Sequence, residues 1–280
     1  VSLYFDRRAS VLVSDGDVGG VSFRWSDLRI KFQVEYERRG PATAQISCVN
    51  LSPASRKWLQ TSGQFVQLNA GYQHMAGVLF RGDIRRVYVE HGEVDIETKI
   101  EAGDGEKALV ESTMAVTLGP NRTTVDLLRE ITNTLGLTVG YADLPATPRV
   151  LLGGQTLAGG VKQYLDDLAA EFDADWWIAD GQLQIVARNG ALPGTLQRVS
   201  PETGLIGSPS ELTKQRNNRT RVVGVKWTQL LRSDMRPGQL VQLESREFTG
   251  LYVIRKIRAV GDSGWDSAYH TNVEATERVI

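Results

Sequence analysis

The chain has 280 residues, long enough for two or three ordinary domains, and its 41% hydrophobic content can fill real cores. With 32 Lys plus Arg against 33 Asp plus Glu the formal charge is −1, so no global basic field draws it to nucleic acid or an anionic membrane. The single cysteine, Cys48, excludes an internal disulfide and a thiolate-rich zinc site.

No apolar run approaches the length of a membrane span, and the start Val1–Arg8 lacks a signal-peptide core. The chain is expected to be made and folded in the cytoplasm, with no insertion into a membrane. From Leu28 to Tyr36 apolar and polar residues alternate without a break, the mark of a half-buried strand. Val94–Glu101 repeats the pattern, with shorter alternating runs around Gln45–Val49 and Phe65–Ala70. Cys48, inside Ile46-Ser47-Cys48-Val49, reads as a buried strand residue. Between these strands Ser52 can cap a short helix with Pro53 in its first turn, bringing Trp58 and Leu59 against the sheet.

The middle segment changes period. Val125, Leu128, Ile131 and Leu135 fall at helical spacing after the capping candidates Thr123 and Thr124, and the helix ends near Gly136. A second helix spans Val161 to Phe172, with Val161, Tyr164, Leu165, Leu168, Ala169 and Phe172 on one stripe. Trp176–Val186 then places two apolar runs around Asp180-Gly181, a hairpin signal. At least one of Trp176 and Trp177 is expected to fill the core of this small unit rather than stack a base or sugar. Pro193-Gly194 and the stretch Gly204–Pro209 read as a linker.

The last third echoes the first. Gly63-Gln64-Phe65-Val66-Gln67-Leu68 is answered by Gly238-Gln239-Leu240-Val241-Gln242-Leu243, an offset of 175 that changes one letter. At an offset of 173, Gly77 meets Gly250, Ile84-Arg85 meets Ile257-Arg258, Val87 meets Val260, and Ile100-Glu101-Ala102 meets Val273-Glu274-Ala275. Leu59 precedes the first word, as Leu230 or Leu231 precedes the second. The fold class expected is therefore mainly β with an α+β insertion: two similar tandem β-barrels, 1–105 and 196–280, separated by a small helix-and-hairpin domain over 106–195. Duplicated barrels in one chain can occupy equivalent places in a ring, so that three chains supply six.

The words Thr203-Gly204-Leu205-Ile206-Gly207-Ser208-Pro209, Leu230-Leu231, Met235–Val241, Gly250–Ile254 and Val260-Gly261-Asp262 resemble those of the last domain of phage baseplate central hub proteins. This group includes contractile-tail hubs and late control protein D relatives. Asn50–Pro53, Ala70-Gly71-Tyr72 and Phe80–Ile84 resemble words of its first barrel. The chain departs at Ala259-Val260, where a Thr-His pair is common, and in the basic loop Arg216–Arg221. The resemblance implies tube-type barrels and a homotrimer whose pseudo-sixfold ring joins a hexameric tail tube protein to a threefold central spike protein among other baseplate proteins. It implies a virion protein of the tail baseplate that surrounds the channel through which DNA passes during genome ejection.

Catalytic chemistry is poorly supplied. His74, His91 and His270 stand in no ligand spacing and read as loop or strand-end residues. Cys48 in an apolar strand is a poor thiolate. Asp166, Asp167 and Glu171 could furnish the carboxylates of a cell-wall hydrolase, although such charges belong by pattern to a helix's solvated face. Exposed aromatics would make a carbohydrate-binding module. Gly153, Gly154, Gly159 and Gly160 lack the residues of a phosphate loop and read as turns. No catalytic, cofactor-binding or metal residue is assigned. Arg81, Arg85 and Arg86, with Arg255 and Arg258 in the repeat, are the candidate subunit-interface residues, free to pair with acidic groups on neighbouring copies.

Overall fold

The computed structural model describes residues 6–16, 22–73, 75–144, 147–216, 219–264 and 268–278; His74 and the pair Asn217-Asn218 lie outside the described residues. In chain order the first part holds strands β1 (Arg7–Ser14), β2 (Ser22–Trp25), β3 (Ile30–Glu37), β4 (Gly40–Pro41) and β5 (Thr43–Val49), helix α1 (Pro53–Ser62), and strands β6 (Phe65–Tyr72), β7 (Gly77–His91) and β8 (Ile96–Gly103). The middle part holds α2 (Glu106–Glu111), β9 (Thr113–Leu118), β10 (Arg122–Thr123), α3 (Thr124–Leu135), β11 (Thr138–Ala142) and β12 (Val150–Leu151). It continues with β13 (Gln155–Gly160), α4 (Val161–Glu171), β14 (Ala174–Ala179) and β15 (Gln182–Ala187). The last part holds β16 (Gln197–Val199), a 3-10 turn at Pro201–Thr203, then β17 (Leu205–Arg216), β18 (Arg219–Leu230), β19 (Leu240–Glu244), β20 (Thr249–Asp262) and β21 (Tyr269–Glu277). The protein is mainly β with few helices, as its pattern predicts.

The local signals account for the elements they announced. In β3 the residues Ile30, Phe32, Val34 and Tyr36 are buried, while Lys31, Gln33 and Glu35 turn to the other face. At α1 the Ser55 N–H donates to Ser52 Oγ at 3.1 Å, with Pro53 in the first turn and Leu59 fully buried. At α3 Thr123 and Asp126 cap each other reciprocally, and Leu127, Leu128, Ile131 and Leu135 face inward. The β14–β15 hairpin turns through Asp180 (φ 55°) and Gly181 (φ 74°), the left-handed pair that such a two-residue turn requires.

Two readings need correction. Gly204–Pro209 is not a linker: Leu205 opens β17, whose register against β18 shifts between Ile206 and Ser210, so the glycine and proline serve an irregular strand. Gly153 and Gly154 do turn the chain, but Gly159 and Gly160 end β13, paired with β9, just before α4.

The strands of the first and last parts form one 13-stranded sheet, apart from β4, which pairs with β14 of the middle part. Within it the order β3-β5-β8-β7-β6 is repeated as β17-β18-β21-β20-β19. The repetition extends to register. Ile84 pairs with Ala102 and Ile254 with Ala275, and in both copies the next residue, Arg85 or Arg255, is bulged out of the ladder. Ile84 N–H donates to Gln64 O at 2.7 Å, and Ile254 N–H to Gln239 O at 3.0 Å. Equivalent residues are thus 170 apart between β7 and β20 (Ile84 to Ile254), and 173 apart between β8 and β21 (Ala102 to Ala275). The sequence match of Ile84-Arg85 with Ile257-Arg258 is therefore three residues out of register, as are those of Gly77 with Gly250 and Val87 with Val260.

The two copies are joined edge to edge. Residues 256–262 of β20 pair antiparallel with residues 31–37 of β3, from Lys256 opposite Glu37 to Asp262 opposite Lys31. Tyr269 locks one end of this seam: its hydroxyl donates to Arg8 O at 2.6 Å and accepts from Gly71 N–H at 2.9 Å, and its ring meets Phe32 and Tyr72 edge-on. Arg29 and Asp262 pair at 2.8 Å beside it.

The middle part packs against this sheet through β14, all six of whose residues are buried. Neighbouring strand residues point to opposite faces, so Trp176 fills the core of the middle part while Trp177 enters the large core shared by the outer parts. Gly238 (φ 85°) lies against the Trp177 ring, where a Cβ would come within 2.8 Å. Asp175, immediately before the two tryptophans, faces Arg255 at 3.0 Å, Arg39 at 3.3 Å and Arg38 at 3.8 Å. Arg38 is buried, stacks on Trp177 at 5.1 Å, and donates to the carbonyls of Ala187 and Gly190. A second junction sets Arg236 over the Tyr36 ring at 4.9 Å and against Asp180 at 3.0 Å.

Asp175→Asn leaves Arg38 and Arg255 buried or half-buried without their carboxylate, and is expected to cost about 3 kcal/mol of unfolding free energy in denaturant titration. Arg39→Ala, removing the solvent-facing partner, is expected to cost under about 1 kcal/mol. Equal small losses would contradict the junction's role.

Candidate functional site

Among the described residues, the features with capacity for assembly include two strand edges and one sheet face. The outer edge of β20 is fully used: residues 249–253 pair with β19 and residues 256–262 with β3. On β7, the equivalent strand, residues 77–83 pair with β6, but Arg86–His91 meet no strand on that edge among the described residues. β17, the counterpart of β3, pairs with β18 alone and leaves its other edge open among the described residues. The chain thus presents one completed seam and the two separated halves of a second.

Away from the core, β3, β5, β7, β8 and β20 present a polar face. Four of its cations are matched by carboxylates of the same face, Lys31 with Glu97, Lys99 with Glu90 at 2.6 Å, Lys256 with Glu37 at 3.3 Å, and Arg258 with Glu35 at 3.3 Å, while Arg86 lies over the Tyr88 ring. Hydrogen bonds from Lys31 and Ser47 hold the Glu97 carboxyl below the ordinary glutamate range. A shallow groove of about 390 Å³ crosses this face, lined by Lys31, Gln33, Ser47, Tyr88, Glu97 and Lys99 among others. Its walls combine paired charges and amides with apolar residues such as Val260 and Ala268.

The five arginines read as interface candidates are all engaged within the chain. Arg85 pairs with Glu106 at 2.5 Å and Arg255 with Asp175 at 3.0 Å. These two alone are equivalent, as the two bulge residues, and each reaches an element of the middle part. Arg86 stacks on Tyr88 at 5.0 Å and occupies the place of Lys256; Arg258 occupies the place of Tyr88 and binds Glu35. Arg81 donates to Gln67 at 2.9 Å and corresponds to Leu251. The open edges, which sequence reasoning missed, have no compositional mark. Alternation announces a strand, and says nothing about which of its edges is filled.

Of the candidate catalytic groups, Cys48, Asp166 and Glu171 are tied into structure, and Asp167 is exposed on α4. Cys48 is buried in β5 and burial pushes its thiol up to about 12, far from a reactive thiolate. Asp166 accepts from Trp176 Nε1 at 2.7 Å and pairs with Lys162 at 3.0 Å, while Glu171 pairs with Arg149 at 2.8 Å. His91 ends β7 and His270 lies near the start of β21. Among the described residues no three His, Cys, Asp or Glu side chains are placed to hold a metal ion, and no helix is long and apolar enough to cross a membrane.

One carboxylate is strongly perturbed. Asp104, following β8, is buried beneath the β14–β15 turn; burial raises its pKa to about 6, although Gly181 N–H donates to it at 3.1 Å. Because the folded value lies above that of an unfolded aspartate, the folded state binds the extra proton between about pH 4 and 6, and stability falls as pH rises through that window. Asp104→Asn is expected to flatten this part of the stability profile and to be more stable than the parent at pH 7, by up to about 3 kcal/mol. A variant whose profile parallels the parent from pH 4 to 7 would contradict it.

No protein-family model matches the sequence, and no curated protein matches it. Solved structures do. The 43 kDa tail protein of prophage MuSo2 from Shewanella oneidensis superposes with a TM-score of 0.67 at 9% identity, covering 97% of this chain and 98% of its own. The tail protein from Neisseria meningitidis MC58 gives 0.66 at 12% identity, covering 98% and 97%. The E. coli c3393 protein gives 0.60 at 11% identity, covering 89% and 73%; it is a component of the type VI secretion system and resembles the T4 bacteriophage tail proteins gp27 and gp5. Over nearly its whole length, the chain carries the fold of phage tail proteins.

Proposed function

We propose that the protein is a structural subunit of a phage tail or tail-like particle, the baseplate hub, and that three copies close into a ring of six near-equivalent repeats. The observation that carries this reading is the repeated order β3-β5-β8-β7-β6 and β17-β18-β21-β20-β19, fused through one edge seam. A strand edge completed once within the chain and left open on β17 and on the unpaired half of β7 suits head-to-tail addition of further copies. A rotation that relates the two repeats by a sixth of a turn closes after three chains. The likeness in fold to the two prophage tail proteins supports the role.

In such a ring the sheet face packed against α1 and the middle part turns outward, since the bulk of the middle part has no room in a lumen. The polar face then lines the channel. The pairing of Lys31, Lys99, Lys256 and Arg258 with carboxylates lowers the positive charge available to retain a polyanion, which suits a passage for DNA rather than a binding site. The ring presents sixfold-like geometry to a tail tube protein and threefold geometry to a central spike. Of the three carboxylates of α4, Asp166 and Glu171 are committed to Trp176, Lys162 and Arg149, which favours geometry over turnover as the function.

Light scattering of the purified chain, alone and with the tube and spike proteins of its particle, is expected to report the mass of three copies. A chain that stays monomeric under both conditions contradicts the ring.

A further inference from the structure

The seam within the chain specifies, residue by residue, the seam between chains. Equivalence between β20 and β7 is fixed by the shared bulge: Lys256, Arg258, Ala259 and Val260 correspond to Arg86, Tyr88, Val89 and Glu90, and each opposes the matching residue of β21 or β8. Equivalence between β3 and β17 is fixed through β5 and β18. Ala44 opposes Ala102 as Val225 opposes Ala275, so the pairs Gln33–Gln45, Val34–Ala44 and Glu35–Thr43 are matched by Ser210–Lys226, Glu211–Val225 and Leu212–Gly224.

Resting on the ring reading above, we propose that Arg86–His91 of β7 in one copy pairs antiparallel with β17 of the next copy, in the register that β20 and β3 use within one chain. The intramolecular pairs Arg258–Glu35, Ala259–Val34 and Val260–Gln33 become Tyr88–Leu212, Val89–Glu211 and Glu90–Ser210. The chemistry changes in a consistent direction. The ion pair of Arg258 and Glu35, 3.3 Å apart, is replaced by an apolar contact of Tyr88 with Leu212, and Glu90 gains a hydroxyl partner in Ser210. Glu90, Ser210 and Glu211 are exposed in the single chain, as residues awaiting a neighbour must be. The occupant is a second copy, because the edge on offer and the edge it requires belong to strands that already meet, as their counterparts, inside one molecule. The contact is heterologous: each copy gives its β7 edge to one neighbour and its β17 edge to the other.

Cysteine cross-linking tests the register in the full-length chain, where buried Cys48 stays inert. In Glu90→Cys with Ser210→Cys the two side chains share one face of the proposed seam and lie within disulfide reach. In Glu90→Cys with Glu211→Cys the register is off by one residue, so the two side chains point to opposite faces. Mild oxidation is expected to shift the first variant to covalent dimer and trimer on non-reducing denaturing gels, and to leave the second at the monomer position. If light scattering shows a trimer but the in-register pair does not link between chains, or links within one chain, the seam is wrong while the ring stands. If the parent never forms a trimer, the ring reading fails and the seam with it.

Discussion

The structure depends on one antiparallel seam, β20 against β3, which converts two copies of a five-strand unit into a single sheet. Without it each copy would expose a long, flat edge, a liability in any β protein. With it, one such edge is satisfied inside the molecule, while β17 and the half of β7 beyond its pairing with β6 keep theirs open among the described residues. The seam is held by more than its ladder. Tyr269 ties β21 to the backbone at Arg8 and Gly71, and Phe32 and Tyr72 pack around its ring. The exposed charge pairs along the seam contribute little each, so registration rests on this buried cluster and on the alternation of β3.

The middle part is fastened where the seam begins. The chain leaves β3 through Arg38 and Arg39, and the bulge of β20 throws Arg255 toward the same point. Asp175 in β14 answers all three. The adjacent Trp176 and Trp177 divide between two cores, so one strand carries the hydrophobic contact of both. The equivalent bulge residue in the first copy, Arg85, finds Glu106 in α2. The duplication has thus kept a backbone irregularity and used its arginine twice for the same purpose, fixing the helical unit to the sheet.

Much of this was legible in the sequence where physical signals are local. The cap at Thr123, the left-handed turn at Asp180-Gly181 and the alternation over Leu28–Tyr36 each depend on near neighbours. The repeat was legible too, but its phase in β7 and β20 was not. Ile-Arg occurs at both 254–255 and 257–258, and only the ladder with β8 and β21 shows that Arg255, by its bulge, is the partner of Arg85. The stretch Gly204–Pro209 carried the composition of a loop because an irregular edge strand uses the same residues. The seam itself joins residues more than two hundred positions apart and leaves no period in the chain, so neither it nor the open edges could be read in advance. The five arginines drew notice as charges, whereas in the folded chain each already has an internal partner.

The proposed ring requires that the two repeats be interchangeable units, and that the operation relating them inside one chain also relate neighbouring chains. Electron microscopy of the assembled ring, averaged without imposed symmetry, tests this most directly. The account predicts three equal protrusions from the middle parts around a sheet layer of six near-identical segments enclosing an open channel. A sheet layer with no sixfold character, or a closed ring of any number of chains other than three, would contradict it.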